Sequence, residues 1–413
     1  MPVRHDEQLR ISGTRVRLHP QPRFMPQYAQ PETVWLSLAP GRIGPGPADG
    51  RMYTVDALDK KAYAPDAFPP WTGQWSPPVT PGPDGHFDHI DPASREFGVV
   101  HMYGTVRRVL DIWEGYLGYP VEWHFHDLQP RLELIPYIDW DNAQSGYGFM
   151  ETGYGKPRGD GPREPFCLNF DVLAHETGHL LMFSLIGIPD NDTLTTEFRG
   201  FHEASSDLVA LICALHFPSV VEHVLAGCRG NLYVENEIER IAELSPTEQI
   251  RSASNSHRMS EVPDVRTPWD KLTQPQLHQV GEPMTGAIFD ILVEIYQQIL
   301  VEEGVISRDL ADLADRAADG SIDVHRVREP FDAAYTADPS GFHQALARAR
   351  DIVGWRLAQV WQQTSPHNLN FAGVAARFLT IDRRRSGQRF QMIIRNSFRW
   401  RQIGPGFLPG AAR

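Results

Sequence analysis

The chain has 413 residues, 52 of them acidic and 39 basic, for a net charge of -13 with histidine neutral. With 41% hydrophobic and 22% charged residues, it has the composition of an ordinary globular protein with a sizeable core, in one large domain or two smaller ones. The acidic balance argues against a general nucleic-acid binder, and no run of 18 apolar residues suggests a membrane span.

Taken in chain order, the start "MPVRHDEQLRISGTRVRLHP" has basic residues but no apolar segment after them, unlike a secretory signal. Residues 1–86 read as an N-terminal region of short strands and proline-rich chain, with "ETVWLSLAP" the clearest strand. Seven prolines in 65–83 enforce extended or turn structure. That stretch is expected to lie as an ordered arm on the main body, because Trp71 and Trp75 need somewhere to pack. "SREFGVVHMYGTVRRVLDIWEGYLG" has Val99, Met102, Val106, Val109, Leu110 and Trp113 at helical spacing. "VEWHFHDL" and "RLELIPYIDW" read as strands, which would put His124 and His126 on one face. Helices are expected over about 171–186, 200–217, 231–243, 284–300, 308–318 and 340–363.

Strands first and helices later imply an α+β fold with two lobes. The expected divisions are 1–86, a lobe over 87–186, a helical lobe over 187–380, and a tail over 381–413. The tail carries eight arginines and one acid, Asp382; it reads as a basic face folding back on an acidic body. Three cysteines, Cys167, Cys213 and Cys228, do not make a disulfide framework and suit a reducing, cytoplasmic compartment.

The chemistry concentrates in "DVLAHETGHLLMF", from Asp171 to Phe183. Asp171 is placed to cap a helix that Gly187 and Pro189 end. The helix is apolar almost all round and therefore buried. His175 and His179 lie one turn apart and project from one face. Two imidazoles at that spacing can reach one tetrahedral zinc, with Glu176 beside the open coordination position. In "GFHEASSDLVALICAL", Glu203 and Asp207 share a face of a second buried helix. Glu203 would complete a His2Glu zinc site, and Asp207 could orient one histidine ligand.

These segments resemble the thermolysin-like metallopeptidases, the gluzincins. "DVLAHETGH" is similar to the family's zinc helix and "HEASSD" to its third-ligand segment. "DNAQSGYGFMETGYG" follows its substrate-edge pattern. "IRSAS" resembles the segment carrying an oxyanion-holding arginine, and "LHQVGE" the one carrying a catalytic histidine. The likeness runs over roughly 87–300. It implies a two-lobed zincin with a sheet-plus-helix N-terminal lobe, a helical C-terminal lobe and an active-site cleft between them. It further implies one catalytic zinc on His175, His179 and Glu203, Glu176 as general base, and Arg251 and His278 at the oxyanion. Asn142 and Ala143 would bind the backbone of a peptide or protein substrate, and Asp207 would support the ligands.

The chain also departs from that pattern. Gln144 and Ser145 stand where the family has an aromatic pair, and no tyrosine lies between Thr193 and Glu203. Ala214 replaces an acid expected near the cleft, so the usual Ca2+ site should be missing; "PDNDTLTTE" reads as a turn. Gly178 in the zinc helix should cost up to ~1 kcal/mol relative to alanine. One alternative is a zinc aminopeptidase in which Glu151, in "GFMET", anchors the substrate's amino terminus. Another is a non-catalytic binding protein on the same scaffold, which retention of Glu176, Arg251 and His278 disfavours.

Overall fold

The structure, a computed structural model, describes residues 5–65, 67–155, 163–233, 240–245, 248–318, 321–323 and 325–404, without the side chains of 5–7, 240–252, 318 and 325. The chain groups into two units, Val3–Gly187 with Ile241–Ile250, and Ile188–Arg240 with Arg251–Arg413. Helix predominates and the sheets are small, an α+β composition.

The first unit opens with α1 (His5–Ser12), β1 (Thr14–Leu18) and β2 (Glu32–Leu36). β1 and β2 pair antiparallel, Val16 opposite Val34. Burial alternates along β1, as a strand with one packed face requires. Next come β3 (Met52–Thr54), α2 (Arg95–Leu117), β4 (Leu132–Ile135), β5 (Ala143–Gly146) and β6 (Phe149–Thr152). The four strands form one sheet in the order β3-β4-β6-β5, parallel except for the β5–β6 hairpin. The hairpin turns at Tyr147–Gly148. Gly148 has φ +87°, and a Cβ there would meet Gln129 and Pro69, so both conformation and space call for glycine. β5 is thereby the edge strand, and among the described residues no strand pairs with its outer side.

α2 is capped by Ser94, whose side chain accepts from the Phe97 N–H, and ends at Gly118 with φ 84°. It is buried nearly all round and packs against β1 and α3 (Phe170–Ile186). The proline-rich arm is pinned to the sheet by hydrogen bonds. The Trp71 N–H donates to Glu133 (2.8 Å), and Tyr63 donates through its hydroxyl to Glu133 (2.8 Å) and through its N–H to Glu151 (2.6 Å). Trp71 packs on Ala57, Ile135 and Ile138, as expected. Trp75 does not follow suit and remains 55% exposed.

The second unit is helical: α4 (Thr196–Ala214), α5 (Pro218–Cys228), α6 (Gln274–Glu302), α7 (Arg308–Ala318), α8 (His325–Ala337), α9 (Pro339–Gln362), α10 (Phe371–Ser386) and α11 (Gln391–Trp400). Between α5 and α6 in the chain runs a two-stranded sheet of β7 (Arg240–Ser245) and β8 (Glu248–Ser252), most of which groups with the first unit. α4 and α6 meet at two glycines. A Cβ on Gly200 would lie 2.6 Å from Val280 Cγ1, and one on Gly281 would lie 2.5 Å from the Gly200 carbonyl. Only glycine at both positions allows this approach. α6 is long and apolar enough to cross a membrane by length and composition, but 78% of its most apolar window is buried inside the protein.

Several expectations need correction. Residues 124–128 are turn, not strand; the aromatic rings of Trp123 and Phe125 pack as stacked neighbours 5.7 Å apart, a local arrangement that mimics strand alternation. Of the expected helix over 231–243, residues 234–239 lie outside the described residues and 240–243 belong to β7 instead. α6 begins ten residues earlier than the apolar pattern implied, running through Pro283. Its first turns are secured by a Thr273–Gln276 capping box and by the Gly200–Gly281 contact, which together outweigh the lost proline N–H. No break falls at 380. α10 spans that point, and Ile381, Phe390, Ile394 and Phe398 are core residues. Asp382, fully buried, pairs with Arg356 at 2.6 Å. Arg401, 1% exposed, pairs with Asp290. The Arg-rich segment as far as Gly404 is thus built into the second unit.

Candidate metal centre

The site begins with how α3 starts and stops. Its cap is Asn169, whose side chain accepts from the Val172 N–H at 3.2 Å, rather than the expected Asp171. Asp171 instead sits in the first turn, where a carboxylate also suits the helix dipole. It is 3% exposed and accepts from Gln21 Nε2 at 3.0 Å. The helix stops at Gly187, φ 93°, whose N–H returns to the Phe183 carbonyl.

One turn apart on this helix, His175 and His179 bring their rings to 4.6 Å at an interplanar angle of 88°. Ligand atoms of His175, Glu176 and His179 all lie within 4.8 Å of one another. Imidazole nitrogen and carboxylate oxygen are zinc donors, each at about 2.0–2.2 Å from the ion. The trio therefore has the donor chemistry, and close to the spacing, that a shared ion imposes. His175 is buried, while Glu176 and His179 are half-buried, so the group is reachable from solvent.

β5 packs against α3. Ser145 on β5 donates from Oγ to Glu176 Oε2 at 2.9 Å. The sequence marked Ser145 only as a replacement for an aromatic residue; the substitution of a hydroxyl for a ring was the signal that could have revealed the contact. At the start of this strand Asn142 is exposed. Its side-chain oxygen accepts from the Ala143 N–H (2.9 Å), and its carbonyl from the Gly153 N–H (2.9 Å). Asn142 and Ala143 thus form the base of the hairpin whose outer edge is open.

Glu151 lies in a different environment. It is fully buried on β6, paired with Lys60, itself 2% exposed. It also accepts from the Tyr63 N–H and from Gln144 Nε2, both at 2.6 Å. Lys60 Nζ lies 3.4 Å from the centroid of the Tyr63 ring. An ion pair so enclosed is structural, and the carboxylate has no face left for an incoming ammonium.

His124 and His126 form no metal pair. The His124 ring packs on Tyr147 (5.2 Å) and Phe183 (5.3 Å), and burial lowers its pKa to about 4. His126 is exposed beside Glu122 and Asp127.

Glu203, Asp207 and His278 belong to the second unit. Glu203 lies one turn along α4 from Gly200, and His278 one turn before Gly281 on α6. The glycine crossing therefore brings the two side chains together, with His278 Nδ1 3.0 Å from Glu203 Oε2. Asp207, 3% exposed, follows Glu203 by one turn of α4. Arg251 is in β8, but its side chain lies outside the described residues. Ala214 is a core residue, and "PDNDTLTTE" makes a turn in which the Thr193 N–H donates to the Asp190 carbonyl at 2.9 Å.

No family model matches the chain, and no curated protein matches it. Among solved structures it is similar to the precursor of protealysin, a metalloproteinase from Serratia proteamaculans. The identity is 12% and the TM-score 0.35, over 64% of this chain and 82% of that one. A likeness at that score carries no weight for function, so the candidate centre stands on its own residues.

Proposed function

We propose that the protein is a zinc-dependent metallopeptidase that cleaves peptides internally. The observation that carries this reading is the His175–Glu176–His179 cluster on a buried helix, beside an edge strand that contacts Glu176. His175 and His179 would hold the metal, with Glu203 as third ligand and Asp207 in support; these last two rest on the sequence. When bound, zinc would lower the pKa of its water to about 7 and polarise the substrate carbonyl.

The chain's own groups do the rest. Glu176 takes the proton of the attacking water and returns it to the leaving amine. Ser145 holds Glu176 Oε2, which leaves the other carboxylate oxygen to carry the proton. A peptide adds to the open edge of β5 through main-chain hydrogen bonds, starting at Asn142 and Ala143, a mode in which neighbouring pockets set specificity. His278 and Arg251 are assigned to the oxygen on which negative charge develops. The aminopeptidase alternative loses its anchor, because Glu151 is committed to Lys60, Tyr63 and Gln144.

The test combines metal analysis with an internally quenched peptide blocked at both ends. The wild type should carry about one zinc per chain and cleave the peptide internally. His179→Ala should lose the metal and the activity together. Full zinc retention in that variant overturns the ligand assignment. A zinc-loaded wild type that binds the peptide without cutting it points to a binding protein, and release of the first residue alone from unblocked peptides points to an aminopeptidase.

A further inference from the structure

Three acids anchor the region of α10 and α11, and each already has its arginine. Asp382 pairs with Arg356, Glu302 with Arg389 and Asp290 with Arg401. What is left over is positive. Arg383, Arg384 and Arg385 close α10, and Arg395 and Arg399 lie on α11. All five are exposed, and among the described residues none pairs with a carboxylate. The dipole at a helix C-terminus favours the triplet and Arg399. It does not account for Arg395, or for five uncompensated cations on adjoining helices of a chain whose net charge is -13.

The corner between the helices makes this surplus one surface. Asp382 accepts from the Phe390 N–H and from Gln391 Nε2, each at 3.3 Å, which fastens the start of α11 to the end of α10. On α11, Gln391, Ile394, Ser397 and Phe398 are buried. The opposite face carries Met392, Arg395, Asn396, Arg399 and Trp400, all exposed, and their spacing lines them up on one side of the helix. Met392 is 73% exposed and Trp400 44%. A thioether chain and an indole thus stand in water among arginines, and covering them would be favourable.

The makeup of this face selects among anionic partners. A single-stranded nucleic acid would stack its bases on an aromatic ring, but Trp400 already carries the guanidinium groups of Arg258 and Arg401, 4.7 and 4.5 Å from its centroid. An acidic polypeptide would answer the arginines and has no need of Met392. An anionic bilayer answers both. Its phosphates match the arginine forks, and the acyl boundary just beneath takes Met392 and the edge of the indole.

We propose that the face built by the end of α10 and the outer side of α11 docks the protein on a membrane surface containing anionic lipid. Docking there does not depend on the His175–Glu176–His179 cluster, which lies in the first unit.

The test is co-sedimentation of the whole protein with vesicles of phosphatidylcholine alone, or with about one-third phosphatidylglycerol, at low and high salt. Wild type should sediment with the anionic vesicles only, and high salt should release it. Each of Arg383→Gln, Arg384→Gln, Arg395→Gln and Arg399→Gln should weaken partitioning about fivefold, and the four together by at least about 100-fold. Met392→Ser should weaken it severalfold at constant charge. All five side chains are exposed, so circular dichroism should show the variants folded. A wild type that ignores anionic vesicles, or that binds them equally well after the four substitutions, overturns the proposal. Full vesicle affinity in Met392→Ser also overturns it, because charge alone would then suffice. Polyglutamate and single-stranded RNA are titrated in parallel; binding to either without binding to anionic vesicles replaces the membrane with that class of partner.

Discussion

Two carboxylates of the first unit, Glu151 and Glu176, are contacted by consecutive residues of one strand. Gln144 donates to Glu151 at 2.6 Å and Ser145 to Glu176 at 2.9 Å. Successive side chains of a strand point to opposite faces, so β5 serves the two groups separately. On one face Glu151 is sealed with Lys60 and two further donors, Tyr63 and Gln144, and there it fastens the proline-rich arm to the sheet. On the other, Glu176 is half-buried, within reach of two histidines, and held through one of its oxygens. A carboxylate whose lone pairs are all engaged and dry is a structural part. One held by a single oxygen, and open to solvent, can still exchange a proton. Placing the two on opposite faces lets the strand be rigid on one side and present chemistry on the other.

The largest expected effect separates these roles directly. Glu176→Gln should lower kcat by about 10²–10⁴-fold, with zinc content and melting temperature unchanged, because an amide fills the same space but cannot take a proton. An unaltered rate would remove Glu176 from the reaction. Glu151→Ala should do the reverse. It strands the Lys60 ammonium in a dry site and should cost on the order of 3–5 kcal/mol of unfolding free energy, read by denaturant titration. A stable Glu151→Ala protein that has lost only its activity on unblocked peptides would return Glu151 to the site as an amine anchor. The smallest effect belongs to Ser145→Ala. Losing one half-exposed hydrogen bond to a carboxylate, worth about 1 kcal/mol, should lower kcat roughly fivefold with KM and zinc content near wild type. A shift in KM alone would mean that Ser145 touches substrate rather than positioning Glu176.

The sequence was most legible where one element carries the whole pattern. His175, Glu176 and His179 are brought together by the pitch of a single helix, and that pitch is a property of the chain. The same holds for α2, whose Ser94 cap and Gly118 stop bracket a continuous apolar repeat. Legibility failed where distant segments decide. The 121–128 stretch alternates like a strand, but among the described residues no strand pairs with it. Gly281 and Pro283 lie before the expected start of a helix at 284, and the helix runs through both.

What the residues determined by themselves is the clustering of His175, Glu176 and His179, the helices that hold a long apolar repeat and a cap, and the need for a mixed fold. Each depends on interactions within a few residues, whose geometry the backbone dictates. What tertiary structure alone decided is which polar groups are engaged and which stand ready. Glu151 and Glu176 are both acids near a strand in the sequence, and only the arrival of Lys60, 91 residues from Glu151, makes one of them structural. Glu203 and His278 likewise become a pair because Gly200 and Gly281 let two helices touch. Contacts at such separations are set by the packing of whole elements, and no local periodicity encodes them.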